Sequence, residues 1–194
     1  MNLRFLLLLL TPLVLLTRTA TASTEEAEKR LQTAVNEVLG IADHASNASS
    51  LATSLRPILD KYICFDVMTR RAVGPGWRQF SPDQQKKATE LFTTLIIRTY
   101  SAKFTPGAHP EIKYKAATEP APGRVEIATT TMYEGNHYEV IYRLEQADGW
   151  RITDVVIEGV SLIANYRTQF DSEFKKGGAE AVISALNQSV ATRQ

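Results

Sequence analysis

The sequence holds a single cysteine, Cys64, so no disulfide can form within the chain and its stability has to come from burial. Cys64 sits between Ile63 and Phe65, a setting that favours a small buried hydrophobe over a reactive thiol. Net charge is just as scarce, with 22 Lys and Arg against 21 Asp and Glu and a formal charge of +1. A chain so balanced has no field to draw nucleic acid or an anionic membrane, and its partners must be recognised by shape and apolar contact. Also missing are a G-x-S-x-G elbow, an H-E-x-x-H pair, paired cysteines and a phosphate-binding glycine loop. The histidines are His44, His109 and His137. The first two fall in expected loops and the third beside an expected turn, so none is set against Asp154, the best carboxylate partner for acid–base work. No catalytic residue, metal ligand set or cofactor site is expected.

There is one long hydrophobic run, Phe5 to Leu16, interrupted by Thr11 and Pro12. It is shorter than the ~20 residues a membrane span needs. It follows a positively charged start, Met1 to Arg4, and precedes the small-x-small site Ala20-Thr21-Ala22, so residues 1–22 read as a cleaved secretory leader. No cysteine follows that site, which excludes a lipid-modified N-terminus. Residues 23–194 then have the size of one domain.

From Thr24, Leu31, Val35, Val38 and Leu39 recur at helical spacing, with Glu25, Glu26 and Glu28 placed for a helix N-terminus. Asp43 to Ser50 is rich in Ala, Ser and Asn and reads as a loop. A second helix carries Leu51, Leu55, Ile58, Leu59 and Tyr62, with Pro57 as a kink or restart. Asp66 is expected to cap a short helix that Gly74-Pro75-Gly76 ends. Ser81-Pro82-Asp83-Gln84 is a capping box with Pro at the first helical position, and it opens a helix through Leu91, Phe92, Leu95, Ile96, Ile97 and Tyr100. Pro106-Gly107 closes this helical half, residues 24–104.

The period then drops to two. Alternation from Ile112 and from Val125 gives two strands, joined through Pro120 to Gly123. Glu134-Gly135-Asn136 turns into a third strand, with Tyr138, Val140, Tyr142 and Leu144 on one face and Glu139, Arg143 and Glu145 on the other. Asp148-Gly149 turns into a fourth. After Gly159, Ser161 caps a helix bearing Leu162, Ile163, Tyr166 and Phe170, which exits at Lys175-Lys176-Gly177-Gly178. A last helix carries Val182, Ile183, Leu186 and Val190. The sum is an α+β domain: a four-stranded antiparallel sheet over 111–158, with helices over 24–104 and 161–193.

Such a sheet needs one cover, yet Val155, Val156 and Ile157 put apolar side chains on both faces of the fourth strand, and Phe92 to Tyr100 is apolar over a broad stripe. Two readings stand. Either helices wrap both sides of the sheet edge, or the space between sheet and helices is lined but not filled.

The order Phe65-Asp66, Met68, Gly74, Trp77-Arg78-Gln79, Ser81-Pro82, Thr99-Tyr100, Tyr142-Arg143-Leu144, Trp150, then Asp154-Val155-Val156-Ile157-Glu158-Gly159-Val160-Ser161-Leu162, Asn165-Tyr166-Arg167 and Gln169-Phe170 resembles the MlaC or toluene-tolerance family. The chain departs from the family pattern at Pro75-Gly76, where a bulkier, basic pair is usual, and in the loop Thr105 to Pro110. The resemblance implies an NTF2-like cone and helical lobe around an apolar pocket for phospholipid acyl chains. It implies a monomeric carrier in the periplasm of a Gram-negative bacterium, passing lipid between an outer-membrane lipoprotein complex and an inner-membrane ABC transporter with MCE-domain subunits and so maintaining outer-membrane lipid asymmetry. Met68, Trp77, Leu95, Tyr100, Tyr142, Val156, Val160 and Ile163 are the lining candidates, and Arg78 and Arg167 are possible phosphate neighbours. The physical need is plain: at ~0.8 kcal/mol per CH₂, two acyl chains in water cost on the order of 20 kcal/mol, so lipid does not cross water unaided. A hopanoid-associated or other hydrophobic-ligand carrier, an NTF2-like enzyme, and an adaptor that binds a partner and no lipid remain as alternatives.

Overall fold

A computed structural model of the chain describes residues 17–103, 105 and 108–192. The apolar run Phe5 to Leu16 and the Pro106-Gly107 pair lie outside the described residues. The first helix, α1 (Thr17–Ala42), begins earlier than Thr24, because Thr17 to Ser23 contains no Gly or Pro to stop it. Glu25, Glu26 and Glu28 therefore lie beyond its first turn, and Glu28 instead accepts a 2.8 Å hydrogen bond from the Ala117 amide, tying α1 to the sheet.

The expected loop gives up its last residues to α2 (Ala48–Tyr62), because Asn47 and Ser50 form a capping box. Pro57 sits inside α2 without ending it. The carbonyl it leaves unpaired belongs to Thr53, an exposed residue where water can replace the lost bond. Asp66 lies in the first turn of α3 (Phe65–Val73) and is not its cap; Cys64 takes that position with no side-chain cap bond. The reason is tertiary. Ile63 forms a parallel bridge with Ile152, and the Cys64 amide donates to the Ile152 carbonyl at 2.8 Å, so the sheet fixes the chain just before the helix starts. Cys64 itself is half-buried and free, not sealed in a core.

Gly74, at φ 72, ends α3 in a conformation only glycine adopts readily, and a 3-10 turn follows over Gly74–Gln79. Helix α4 (Pro82–Ser101) opens on the expected box: the Gln84 amide donates to Ser81 Oγ at 3.2 Å, and the Ser81 amide to Gln84 Oε1 at 2.8 Å.

Among the described residues, six strands form one antiparallel sheet: β1 (Glu111–Tyr114), β2 (Thr118–Ala121), β3 (Arg124–Tyr133), β4 (Asn136–Ala147), β5 (Gly149–Ile157) and β6 (Val160–Ser161). The order is β1-β3-β4-β5-β6, with β2 also on β3. The four expected strands are present; β2 and β6 are additional. Pro120 lies within β2, where a short edge strand tolerates its missing donor. Glu134 and Gly135, at φ 49 and 78, make the two-residue turn between β3 and β4. Helix α5 (Leu162–Ala191) is capped by Ser161 and broken at Gly177-Gly178, where the expected exit falls.

The buried apolar residues form two clusters. One lies among α3, α4 and α5 around Met68, Phe92, Leu95, Phe170 and Leu186. The other joins Ala27 and Leu31 of α1 to Val125, Ile127, Leu144, Trp150 and Ile152 of the sheet. Ile63 packs against both.

Candidate functional site

The lining candidates fall into three groups. Met68, Leu95 and Ile163 are buried in the helical core, and Trp77 and Tyr100 pack against it while half-buried. Tyr142 packs against the sheet core. Val156 and Val160 stand apart from both groups. Val156 has the same parity as Trp150 and Ile152, so simple alternation would put it on their face. The pairing shifts, however, from Leu144 opposite Ile152 to Arg143 opposite Asp154, which makes Thr153 an extra residue and turns Val156 to the opposite face. Val156 is buried there, and Val160, at 59 % exposed, stands out in β6.

The bulge decides where apolar surface is left over. Helices α1, α2, α3 and α5 all pack on β5. On the face opposite α1, Asp154 and Val156 are buried. On the α1 face, Val155 and Ile157 stay half-buried, together with Tyr142, Tyr114 and Ile112 on the neighbouring strands and Val35 on the helix. The sheet core is thus sealed around Leu144 and Trp150 and open at its Tyr114, Tyr142 and Val155 margin. Sequence reading missed Tyr114 and Val155 as lining candidates. The alternation of Glu111 to Ala116 was the available signal for the first, and the bulge hid the second.

Electrostatics at this margin come from two phenols. Burial, with the Tyr114 phenol nearby, pushes Tyr142 up to about 12, and burial also raises Tyr114. Arg78 is exposed, and Arg167 is engaged elsewhere: its Nη1 donates to the Arg71 carbonyl at 3.3 Å and its guanidinium lies over Gly74.

Asp154 is occupied by fixed partners. It accepts from Arg143 Nη1 (3.0 Å), Ser161 Oγ (2.7 Å) and the amides of Val155 (2.9 Å) and Ile163 (3.2 Å), so fixed donors from β4, β5, β6 and the start of α5 fill its oxygens. Arg143 continues the chain to Glu126 at 2.8 Å. His44 and His137 are exposed, and His109 lies 3.4 Å from Asp43 on the surface. Among the described residues, no group of three His, Cys, Asp or Glu side chains is placed to hold a metal ion. No described helix is long and apolar enough to cross a membrane.

Surface cavities bounded by described residues include two at the helices. One of about 650 Å³ lies between α4 and the two halves of α5, with buried Leu95, Tyr166 and Phe170 beside exposed Gln169, Ser172 and Gln188. The other, about 250 Å³, borders Cys64, Arg56, Asp60, Glu90 and Arg151.

The sequence profile described as MlaC protein matches residues 29–188. The chain belongs to the MlaC family. Among solved structures, the chain is similar to a phospholipid-binding protein from Ralstonia solanacearum, crystallised in complex with a phospholipid. The two share 26 % identity and superpose with a TM-score of 0.80, over 87 % of this chain and 98 % of that one. Among proteins of curated function, none matches the chain. The MlaC match spans most of the helical half, the sheet and most of α5, and so takes in nearly all of both hydrophobic clusters.

Proposed function

We propose that this MlaC-family protein is not an enzyme but a periplasmic phospholipid carrier, exported through the leader at residues 1–22 and acting as a monomer. It takes lipid between an outer-membrane lipoprotein complex and an inner-membrane ABC transporter with MCE-domain subunits, and so maintains the lipid asymmetry of the outer membrane. The observation that carries this reading is the likeness, over nearly the whole fold, to a protein crystallised with phospholipid bound. The chemistry of the α1-facing margin supports it, since half-buried Tyr114, Tyr142 and Val155 leave apolar surface that an acyl chain covers at a gain of ~0.8 kcal/mol per CH₂.

Of the candidate lining, Tyr142, Trp77 and Tyr100 still have surface to offer a guest, whereas Met68, Leu95, Val156 and Ile163 are packed by their neighbours and must shift to meet one. Val160 is free to act at a mouth. The test is direct. Organic extraction of the purified protein, read by mass spectrometry, is expected to yield phospholipid. An empty extract, together with no uptake from phospholipid vesicles, overturns the carrier in favour of an adaptor, and a hopanoid in the extract reassigns the cargo.

A further inference from the structure

Tyrosine hydroxyls in a protein interior are given acceptors where their role is structural. Tyr62, 2 % exposed, donates to Glu37 Oε1 at 2.6 Å. Thr129, buried on the α1-facing side of the sheet, donates to the Val140 carbonyl at 3.2 Å. Tyr114 and Tyr142 share that side: Tyr114 pairs with Thr129 and Tyr142 with Ile127, residues of β3 that point the same way. Both pack on the open margin of the sheet core. Neither phenol has a hydrogen-bond partner among the described residues. Both tyrosines are half-buried and neither hydroxyl is sealed from solvent, so water serves them while the margin is empty; a guest that covers the margin takes that water away, a cost that phenylalanine would not carry. Two such phenols side by side call for acceptors from outside the chain.

We infer that Tyr142, with Tyr114 beside it, donates hydrogen bonds to the acyl-ester carbonyls of the bound lipid and selects ester lipids over ether lipids. The inference rests on the phospholipid-binding reading above and adds a chemical specificity to it. The ester carbonyls lie where chains meet headgroup, so this contact also sets how deep the chains reach. Since burial holds its proton well above neutral pH, Tyr142 is a donor throughout the physiological range.

The full-length protein is offered vesicles containing equal amounts of a diacyl phospholipid and its dialkyl-ether analogue, matched in headgroup and chain length, and the loaded lipid is counted by mass spectrometry. The wild-type protein is expected to favour the diester about five-fold, the worth of one net hydrogen bond. Tyr142→Phe is expected to bring the ratio near one, and Tyr114→Phe to reduce it in part. Equal loading of the two lipids by the wild type, or an unchanged preference in Tyr142→Phe, overturns the contact and leaves the carrier intact. Loading of neither lipid by the wild type overturns the carrier and the contact together.

Discussion

Tyr142 has a second, ligand-free consequence. Its ordinary value is 10.0 and burial moves it to about 12 in the folded protein. Between those values the unfolded chain gives up a proton that the folded chain keeps, so stability is complete below pH 10 and drains away as the pH climbs toward 12. Denaturant midpoints taken from pH 9 to 12 are expected to fall, and Tyr142→Phe to flatten that fall; an identical slope in both proteins would show that this phenol is not the source. Asp154 teaches the opposite lesson about reading single residues. In the sequence it is the carboxylate best suited to partner a histidine, yet in the fold it serves the backbone of α5 and the guanidinium of Arg143. The local sequence reveals only part of that, because Val155 and Ser161 lie close by while Arg143 reaches in from the neighbouring strand β4.

At the scale of elements, legibility follows the reach of the bonds involved. The box at Ser81 to Gln84 is visible because both of its bonds close within one turn. The start of α3 is not, because its position is set by Ile152, far along the chain, and the nearer Asp66 is a false signal. The bulge at Thr153 is the costliest miss, since one extra residue sent Val156 away from the face of Tyr142 and brought Val155 to it. The departure at Pro75-Gly76 has its own explanation here. Gly76 is buried, and a Cβ there would meet the Phe174 ring at 2.9 Å, while that ring stacks on Phe80 at 6.2 Å. The aromatic ring occupies the room that a bulkier residue would need. Gly76→Ala is therefore expected to cost ~1–3 kcal/mol of unfolding free energy, measurable by urea titration, and Phe174→Leu on the same background to recover part of it. An unaffected midpoint in Gly76→Ala would mean that the ring swings aside freely.

Across the whole molecule, fold class, strand directions and most helix ends could be read from periodicity and turn chemistry. The site could not, because lining and core share one composition and differ only in what fills the next space. What no pattern announced is the division into two hydrophobic clusters with Ile63 packing on both. Each cluster has its own helices, and polar ties such as Arg71 to Glu145 at 2.8 Å and Arg151 to the Ile63 carbonyl at 2.6 Å run between them. Without a bound lipid, such a molecule is expected to melt in two cooperative parts, which calorimetry of the delipidated protein would resolve as two overlapping heat-absorption peaks. A guest that touches both clusters ties their melting together, so reloading should merge the peaks and raise the lower one. A single unchanged peak in both states would rule this out. The seam at Ile63 thereby makes thermal cooperativity a gauge of occupancy: how sharply the protein melts is expected to tell whether a lipid is bound.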